Sequence, residues 1–195
     1  MYCDSRTSPH KLPSHLPFIE ILEQYFKETP ITQPSLSVGQ QLLKAVKTLS
    51  TIPGGHFILS RIIAWKIPYS ATIGARVSVL EPGFARLVLK DKKAVRNHLN
   101  SIHAVALTNF GELTSGLALI TRLPANVRGI VININTEYLK KARDTLIAEC
   151  RCDPPLVTRD VDYTVEAVIK DHAQDVVAKV RVVWRLGLKP DDVKR

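Results

Sequence analysis

The stretch NHLNSIHAVALTNFGE, from Asn97 to Glu112, holds the polar side chains of this sequence that are best placed to do chemistry. It runs into TSGLALI, so most of the segment has the composition of a buried helix. Between His103 and Arg122, Glu112 is the only ionisable residue. Because solvated helix faces usually carry several charges, we expect this lone carboxylate to be partly desolvated. Burial raises the pKa of a carboxyl group toward the range useful for a general base.

The start of the same helix could supply the second part of a site. We predict that the helix begins just after His103, with Asn100 or Ser101 as its cap, because Ser and Asn are favoured caps. The helix is predicted to end before Pro124. A helix start presents free backbone N–H groups and a partial positive charge, which can stabilise an oxyanion. Together, a carboxylate and an oxyanion donor are sufficient to catalyse acyl transfer to water.

The spacing along this helix sets a geometric condition. At 100° per residue, Thr108, Glu112 and Ser115 share one face. The nine residues from His103 to Glu112 make two and a half turns, so the two residues would lie on opposite sides of one continuous helix. If they share a site, His103 must lie in the turn before the helix, or two subunits must contribute.

Other familiar sites are not predicted. The sequence has no Walker phosphate loop, no dinucleotide-binding glycine pattern, no Gly-x-Ser-x-Gly elbow and no His-Glu-x-x-His motif. His98 and His103 are five residues apart, which suits one metal ion poorly on a helix. Cys150 and Cys152 have no Cys or His partner at zinc-like spacing and are interpreted as small strand residues. We expect no metal and no separate cofactor.

Composition narrows the class of protein. The formal net charge of +9 admits an anionic partner, but 6% aromatic residues and scattered Lys and Arg do not favour nucleic-acid binding. No apolar run reaches the length of about 18 residues that a membrane span requires. The odd count of three cysteines indicates a reducing compartment, the cytoplasm or the mitochondrial matrix.

The hydrophobic periodicity predicts an α+β protein. Residues 1–17 are expected to be a flexible lead-in, and residues 18–70 a helical N-terminal extension with three amphipathic segments. Over residues 71–190 the period changes to two, apart from the long helix, and predicts about six strands. In RGIVININTEYL the residues alternate strictly, and Glu81-Pro82-Gly83 is a turn signal. Short polar connections favour an antiparallel sheet with the long helix across one face.

The order and spacing of Asn97, His103 and Glu112, with a small residue after the histidine, resemble the hotdog-fold acyl-CoA thioesterases. The likeness is to the phenylacetyl-CoA thioesterase branch, and more closely to an uncharacterised hotdog family related to it. It covers roughly residues 60–188. It implies an antiparallel sheet wrapped around a long central helix, which would make residues 71–190 the hotdog domain. It also implies a homodimer or homotetramer in which paired subunits form the active sites.

The resemblance implies a role for each residue of the motif. Glu112 would act as the general base that activates water, or as a nucleophile. Asn97 would orient that water or the carboxylate, and His103 would shape the turn. The backbone N–H of Ala104 would polarise the thioester carbonyl. The family often has glycine at this last position, so the added methyl of Ala104 is a departure.

The resemblance also implies an acyl-CoA substrate, as in lipid metabolism, with the coenzyme A moiety part of that substrate. The cations expected to bind its phosphate groups are Lys140, Lys141 and Arg143, together with Arg96 just before the motif. Three alternatives to hydrolysis remain: a non-catalytic hotdog protein that binds an acyl chain or acyl-CoA, a hotdog dehydratase using His103, and a nucleic-acid-binding protein.

Overall fold

The computed structural model describes residues 36–190, apart from the side chain of His56. The expected lead-in over residues 1–17 and the first predicted helix lie outside this range. The second and third predicted helices are confirmed, as α1 (Val38–Leu49) and α2 (Gly55–Lys66), and a short helix α3 (Pro68–Ala71) follows.

Helix α1 begins at a capping box. Ser37 Oγ accepts a hydrogen bond from the backbone N–H of Gln40, and Gln40 Oε1 accepts one from the backbone N–H of Ser37. The apolar side of α1 packs against the core through Leu42, Leu43, Val46 and Leu49. Helix α2 ends one residue before Ile67-Pro68, because a residue that precedes proline is driven out of the helical conformation.

Six strands form one antiparallel sheet, as the periodicity predicts. In chain order they are β1 (Arg76–Glu81), β2 (Phe84–Leu89), β3 (Val127–Tyr138), β4 (Leu146–Arg151), β5 (Val161–Lys170) and β6 (Val176–Leu188). Their order in the sheet is β1-β2-β4-β5-β6-β3. Glu81 pairs with Phe84, so Pro82 and Gly83 alone form the turn between β1 and β2. Gly83 has φ +74°, which fits a type II turn with proline before it.

The long helix, α4 (Ala104–Ile120), lies across one face of this sheet and contacts all six strands. Its apolar side chains Leu107, Phe110, Leu113 and Leu117 are buried in the core. At Gly111 the helix approaches the sheet so closely that a Cβ atom would collide with the side chain of Val180 on β6. Glycine at this position therefore allows the helix and the sheet to come into contact.

The predicted cap of α4 is wrong. The helix does begin just after His103, but its cap is His103 itself, whose Nδ1 accepts a hydrogen bond of 3.1 Å from the backbone N–H of Val105. Asn100 has φ +53°, and the side chain of Asn97 binds the backbone N–H of Ser101. The chain therefore completes a separate turn at Asn100 and Ser101 and becomes helical only at Ala104.

Strand β3 departs from the strict alternation that its sequence predicts. Its register with β6 shifts between Val131 and Asn133, which makes Ile132 an extra residue. Val131 lies opposite Trp184, whose ring faces α4. Ile134 lies opposite Val182, two residues from Trp184 on β6. The extra residue therefore reverses the alternation of β3, and Ile134 projects to the α4 side, as Val131 does.

An antiparallel six-stranded sheet around one long helix, preceded by helices, is the hotdog architecture with a helical N-terminal extension. The predicted fold class is therefore confirmed. Within the described residues no helix is long and apolar enough to cross a membrane.

Candidate functional site

The polar face of α4 is covered in part by β3 and is not a fully solvated surface. Thr108 Oγ1 lies 2.9 Å from both Thr136 Oγ1 and Tyr138 Oη, two side chains on β3. Ser115 is fully buried, and its hydroxyl donates to the backbone carbonyl of Glu112. Glu112 therefore lies between two residues whose hydroxyls are already engaged within the protein.

Glu112 itself is half-buried and forms no ion pair or side-chain hydrogen bond with any residue from 36 to 190. Burial raises the pKa of this carboxyl group above its usual value, because the surrounding protein disfavours the charged form. A carboxylate with a raised pKa and unused oxygen atoms can accept a proton from water. The sequence-based expectation that this carboxylate is partly desolvated is met.

Glu112 lines a cleft of about 350 Å³ that runs along α4 toward its C-terminal end. The walls are mostly apolar and come from α1, α4, the segment after α4, β3 and β6; they include Val38, Leu117, Ile120, Leu123, Val127 and Trp184. The indole Nε1 of Trp184 is buried and has no hydrogen-bond partner within the described range. Such a cleft suits an apolar chain with a reactive polar group at the Glu112 end.

The turn before α4 is held by Asn97. Its Oδ1 accepts hydrogen bonds from the backbone N–H groups of Leu99 (2.9 Å) and Ser101 (3.2 Å), and its Nδ2 lies 3.2 Å from Ser101 Oγ. This turn places Ala104 at the first helical position, where it is exposed. No acceptor among residues 36–190 takes the backbone N–H of Ala104, as expected for the first turn of a helix. That N–H can donate to a ligand.

Within one chain, Glu112 and this turn do not come together. Ala104 and Glu112 belong to the same continuous helix, so eight residues place them about 12 Å apart along its axis. Asn97, His103 and Ala104 form one group, and Glu112 with its cleft forms another. A site that uses both groups requires two subunits.

The four cations expected to bind phosphate differ in their surroundings. Arg96 Nε donates to Asp91 at 2.7 Å, and Lys140 Nζ donates to Asp171 at 2.7 Å and to Asp175 at 2.6 Å. The charges of Arg96 and Lys140 are thus offset by carboxylates of the same chain. Lys141 and Arg143 are exposed and make no ion pair with a described carboxylate.

The cleft was not predicted from the sequence. The alternation of β6 places Trp184 on a strand, and the periodicity places α1 in the helical extension, but neither pattern indicates that these residues line a cleft. One signal could have indicated the cleft: Gly116 is four residues after Glu112, so the next turn of the same helix face has no side chain. In the structure the ring of Trp184 lies over Gly116, where a Cβ atom would be 3.2 Å from its Cη2 atom.

Replacing Glu112 by glutamine is expected to stabilise the protein near neutral pH. A carboxyl group with a raised pKa favours folding only while it is protonated, so the wild type loses stability as the pH rises through the raised value. Glutamine has nearly the same shape and carries no charge. Thermal denaturation should give a higher Tm for Glu112→Gln at neutral pH and no difference at a pH below the usual carboxyl pKa. A lower Tm at neutral pH would contradict desolvation as the cause.

No cluster of three or more His, Cys, Asp or Glu side chains within residues 36–190 is arranged to hold a metal ion. Cys150 and Cys152 are buried free thiols that contact each other; the pKa of Cys150 is raised by its hydrogen bond to Cys152 and by burial. Neither thiol lines the cleft at Glu112.

Comparison with known proteins gives a family and a set of related structures. The model of a family described as a domain of unknown function, DUF4442, matches residues 55–186. A Pseudomonas aeruginosa protein of unknown function, described as a probable thioesterase, is 26% identical and superposes with a TM-score of 0.62 over 71% of this chain and 97% of that chain. No curated protein matches significantly.

Two further structures share the fold at lower identity. A thioesterase from Haemophilus influenzae is 13% identical, with a TM-score of 0.55 over 64% of this chain and 86% of that chain. A mutant of a Staphylococcus aureus thioesterase enzyme is 13% identical, with a TM-score of 0.55 over 62% of this chain and 98% of that chain.

Proposed function

This chain belongs to the DUF4442 family, and we propose that it is a thioester hydrolase whose substrate is an acyl-CoA. The observation that carries the proposal is the place of Glu112, an unpaired, half-buried carboxylate on the wall of an apolar cleft. The cleft accommodates the acyl group of the substrate, and the Glu112 carboxylate lies where the thioester at the end of that acyl group would be. Proteins of the same fold that are described as thioesterases support this choice of reaction.

In the proposed reaction Glu112 takes a proton from a water molecule while the water oxygen attacks the thioester carbonyl carbon. The carbonyl oxygen becomes an oxyanion, which accepts a hydrogen bond from the backbone N–H of Ala104 of the partner subunit. The intermediate then breaks its carbon–sulfur bond. The proton held by Glu112 passes to the departing thiolate, which gives a carboxylic acid and a free thiol and restores the carboxylate.

We propose the remaining motif residues as positioning residues for the oxyanion donor. His103 caps α4 through its Nδ1, so it fixes where the helix starts. Asn97 holds the preceding turn, and its Oδ1 and Nδ2 are both engaged there. Because these atoms are already bonded within the turn, we assign Asn97 to holding the turn and not to orienting the attacking water.

We propose that the second subunit joins through strand β3, in a homodimer. This strand is 12 residues long and lies at one edge of the sheet, with β6 as its one neighbour. Ile130, Ile132 and Ile134 on it are 52%, 43% and 40% exposed. A long apolar edge strand is a template for pairing with another chain. Antiparallel pairing of two β3 edges would bring a second subunit beside the polar face of α4, which already contacts β3 through Thr108.

Release of free coenzyme A from a panel of acyl-CoA thioesters tests the function directly. The panel should include short, medium and long straight chains and an arylacetyl thioester. We expect turnover of at least one member at a rate well above the spontaneous reaction. Saturable acyl-CoA binding without turnover would favour the non-catalytic hotdog protein, and hydration of an enoyl-CoA would favour the dehydratase.

A further inference from the structure

A second cavity, of about 190 Å³, lies between α2, α3 and the start of β1, in the part of the fold that the helical extension builds. We call it the basic cavity. Leu113 and Ile67 line both this cavity and the cleft at Glu112, so they form the boundary between the two. Neither Glu112 nor Ala104, the residues that move the proton and bind the oxyanion in the reaction proposed above, lines the basic cavity.

Three cations line the basic cavity: Arg61 on α2, Arg76 at the start of β1 and Lys92 after β2. No Asp or Glu is among the described residues that line it. None of the three forms an ion pair with a carboxylate within residues 36–190. The side chain of Lys92 passes over Gly74, where a Cβ atom would collide with its Nζ. Three like charges around one cavity are a favourable environment for a multivalent anion.

The rest of the lining of the basic cavity is largely apolar and includes an aromatic ring. Its floor is apolar, with Ile63, Val77 and Leu87 among the residues that form it. Phe57 lines the cavity and is 53% exposed, and the guanidinium carbon of Arg76 lies 5.4 Å from the centre of its ring. An exposed aromatic ring beside arginines can stack on a nucleobase. The planar guanidinium groups can form paired hydrogen bonds with phosphate oxygens.

We propose that the basic cavity binds a nucleoside phosphate. Its phosphate groups lie against Arg61, Arg76 and Lys92, and its base packs on the ring of Phe57. Such a ligand has two sources: the nucleotide end of the coenzyme A carrier, or a separate nucleotide. The first source rests on the proposed function, and the second does not. If the carrier is the ligand, Arg61, Arg76 and Lys92 bind the phosphate groups that the sequence assigned to Arg96 and Lys140, whose charges are already offset by carboxylates.

Calorimetric titration of the full-length protein with adenosine 3′,5′-bisphosphate at physiological salt tests the site. The triple variant Arg61→Gln, Arg76→Gln, Lys92→Gln should weaken binding at least about tenfold, because charge-assisted hydrogen bonds to phosphate are lost. The matched control Lys44→Gln, Lys47→Gln, Arg159→Gln removes the same three charges from exposed positions outside the cavity and should bind as the wild type does. Equal weakening in both triple variants, or no binding by the wild type, would overturn the proposal. Should the cavity triple fail to fold, the single variants Arg61→Gln and Lys92→Gln are titrated in its place and should each weaken binding.

A second pair of measurements distinguishes the two sources. If the carrier is the ligand, the cavity triple raises KM for an acyl-CoA and leaves KM for the matching acyl-pantetheine, which lacks the phosphates, unchanged. If a separate nucleotide is the ligand, the cavity triple loses binding of adenosine 3′,5′-bisphosphate, and its KM for both thioesters equals that of the wild type. A protein that hydrolyses neither thioester contradicts the proposed function, and the titration still decides whether the basic cavity is a nucleotide site.

Discussion

Replacing Glu112 by glutamine is expected to lower kcat/KM for thioester hydrolysis by about two to four orders of magnitude, the contribution typical of a general base. Glutamine keeps the shape of the side chain but cannot take a proton from water. In the wild type, kcat/KM should rise with pH through a midpoint above the usual glutamate value, because burial raises the pKa of Glu112. Steady-state kinetics across the pH range measure both effects.

The matched control for this substitution is Glu81→Gln, which removes an exposed carboxylate at the turn between β1 and β2. It changes the net charge by the same amount and should leave kcat/KM within about twofold of the wild type, as expected for surface substitutions distant from the site. If Glu112→Gln hydrolyses the same thioesters at the wild-type rate, Glu112 is not the base. If both variants lose activity, the effect is one of net charge.

Replacing Ala104 by proline is expected to lower kcat by about 10²–10³-fold, the usual cost of losing one oxyanion donor. Proline removes the backbone N–H of this residue but is favoured at the first position of a helix. The preceding residue, His103, already has the extended conformation that proline requires, with φ −64° and ψ 139°. The helix should therefore persist, and the Tm should change little. The variant Ala104→Gly keeps the N–H and should keep the activity.

The two inactive variants can be combined to test whether the site is shared between subunits. Random exchange of Glu112→Gln and Ala104→Pro subunits makes half of the dimers mixed, each with one intact site of two, so about a quarter of the wild-type activity should return. Co-expression with two different affinity tags gives the mixed dimer for assay. An activity no greater than that of the two parents would show that Glu112 and Ala104 do not act in one site across the interface.

Much of the fold could be predicted because its signals are local. The turn between β1 and β2 depends on two adjacent residues, Pro82 with its fixed φ and Gly83 with φ +74°. Helix α4 is long, apolar and followed by Pro124, so its existence and approximate ends follow from its periodicity and from the helix-terminating proline. In each case the residues that decide the conformation are neighbours in the chain.

The error in the cap of α4 is local: the cap is His103 because the side chain of Asn97 engages Ser101 in a separate turn. Two other features could not be predicted because contacts between residues far apart in the chain decide them. The extra residue in β3 follows from its pairing with β6, about 50 residues later in the chain. The charge of Lys140 is offset by Asp171, 31 residues away in sequence. No local pattern in the chain indicates any of these pairings.

The sequence by itself determined the α+β class, the order of the elements and the choice of Glu112 as the one carboxylate on an otherwise uncharged helix face. Periodicity can do this because it specifies the direction in which each side chain leaves its own helix or strand. Only the tertiary structure decided which residues of other elements each side chain faces. The cleft beside Glu112 is built from α1, α4, β3 and β6, which meet there because the sheet order places β3 next to β6 at an edge. Burial and cavities depend on which elements become neighbours, and for residues far apart in the chain that is set by the packing of the whole domain.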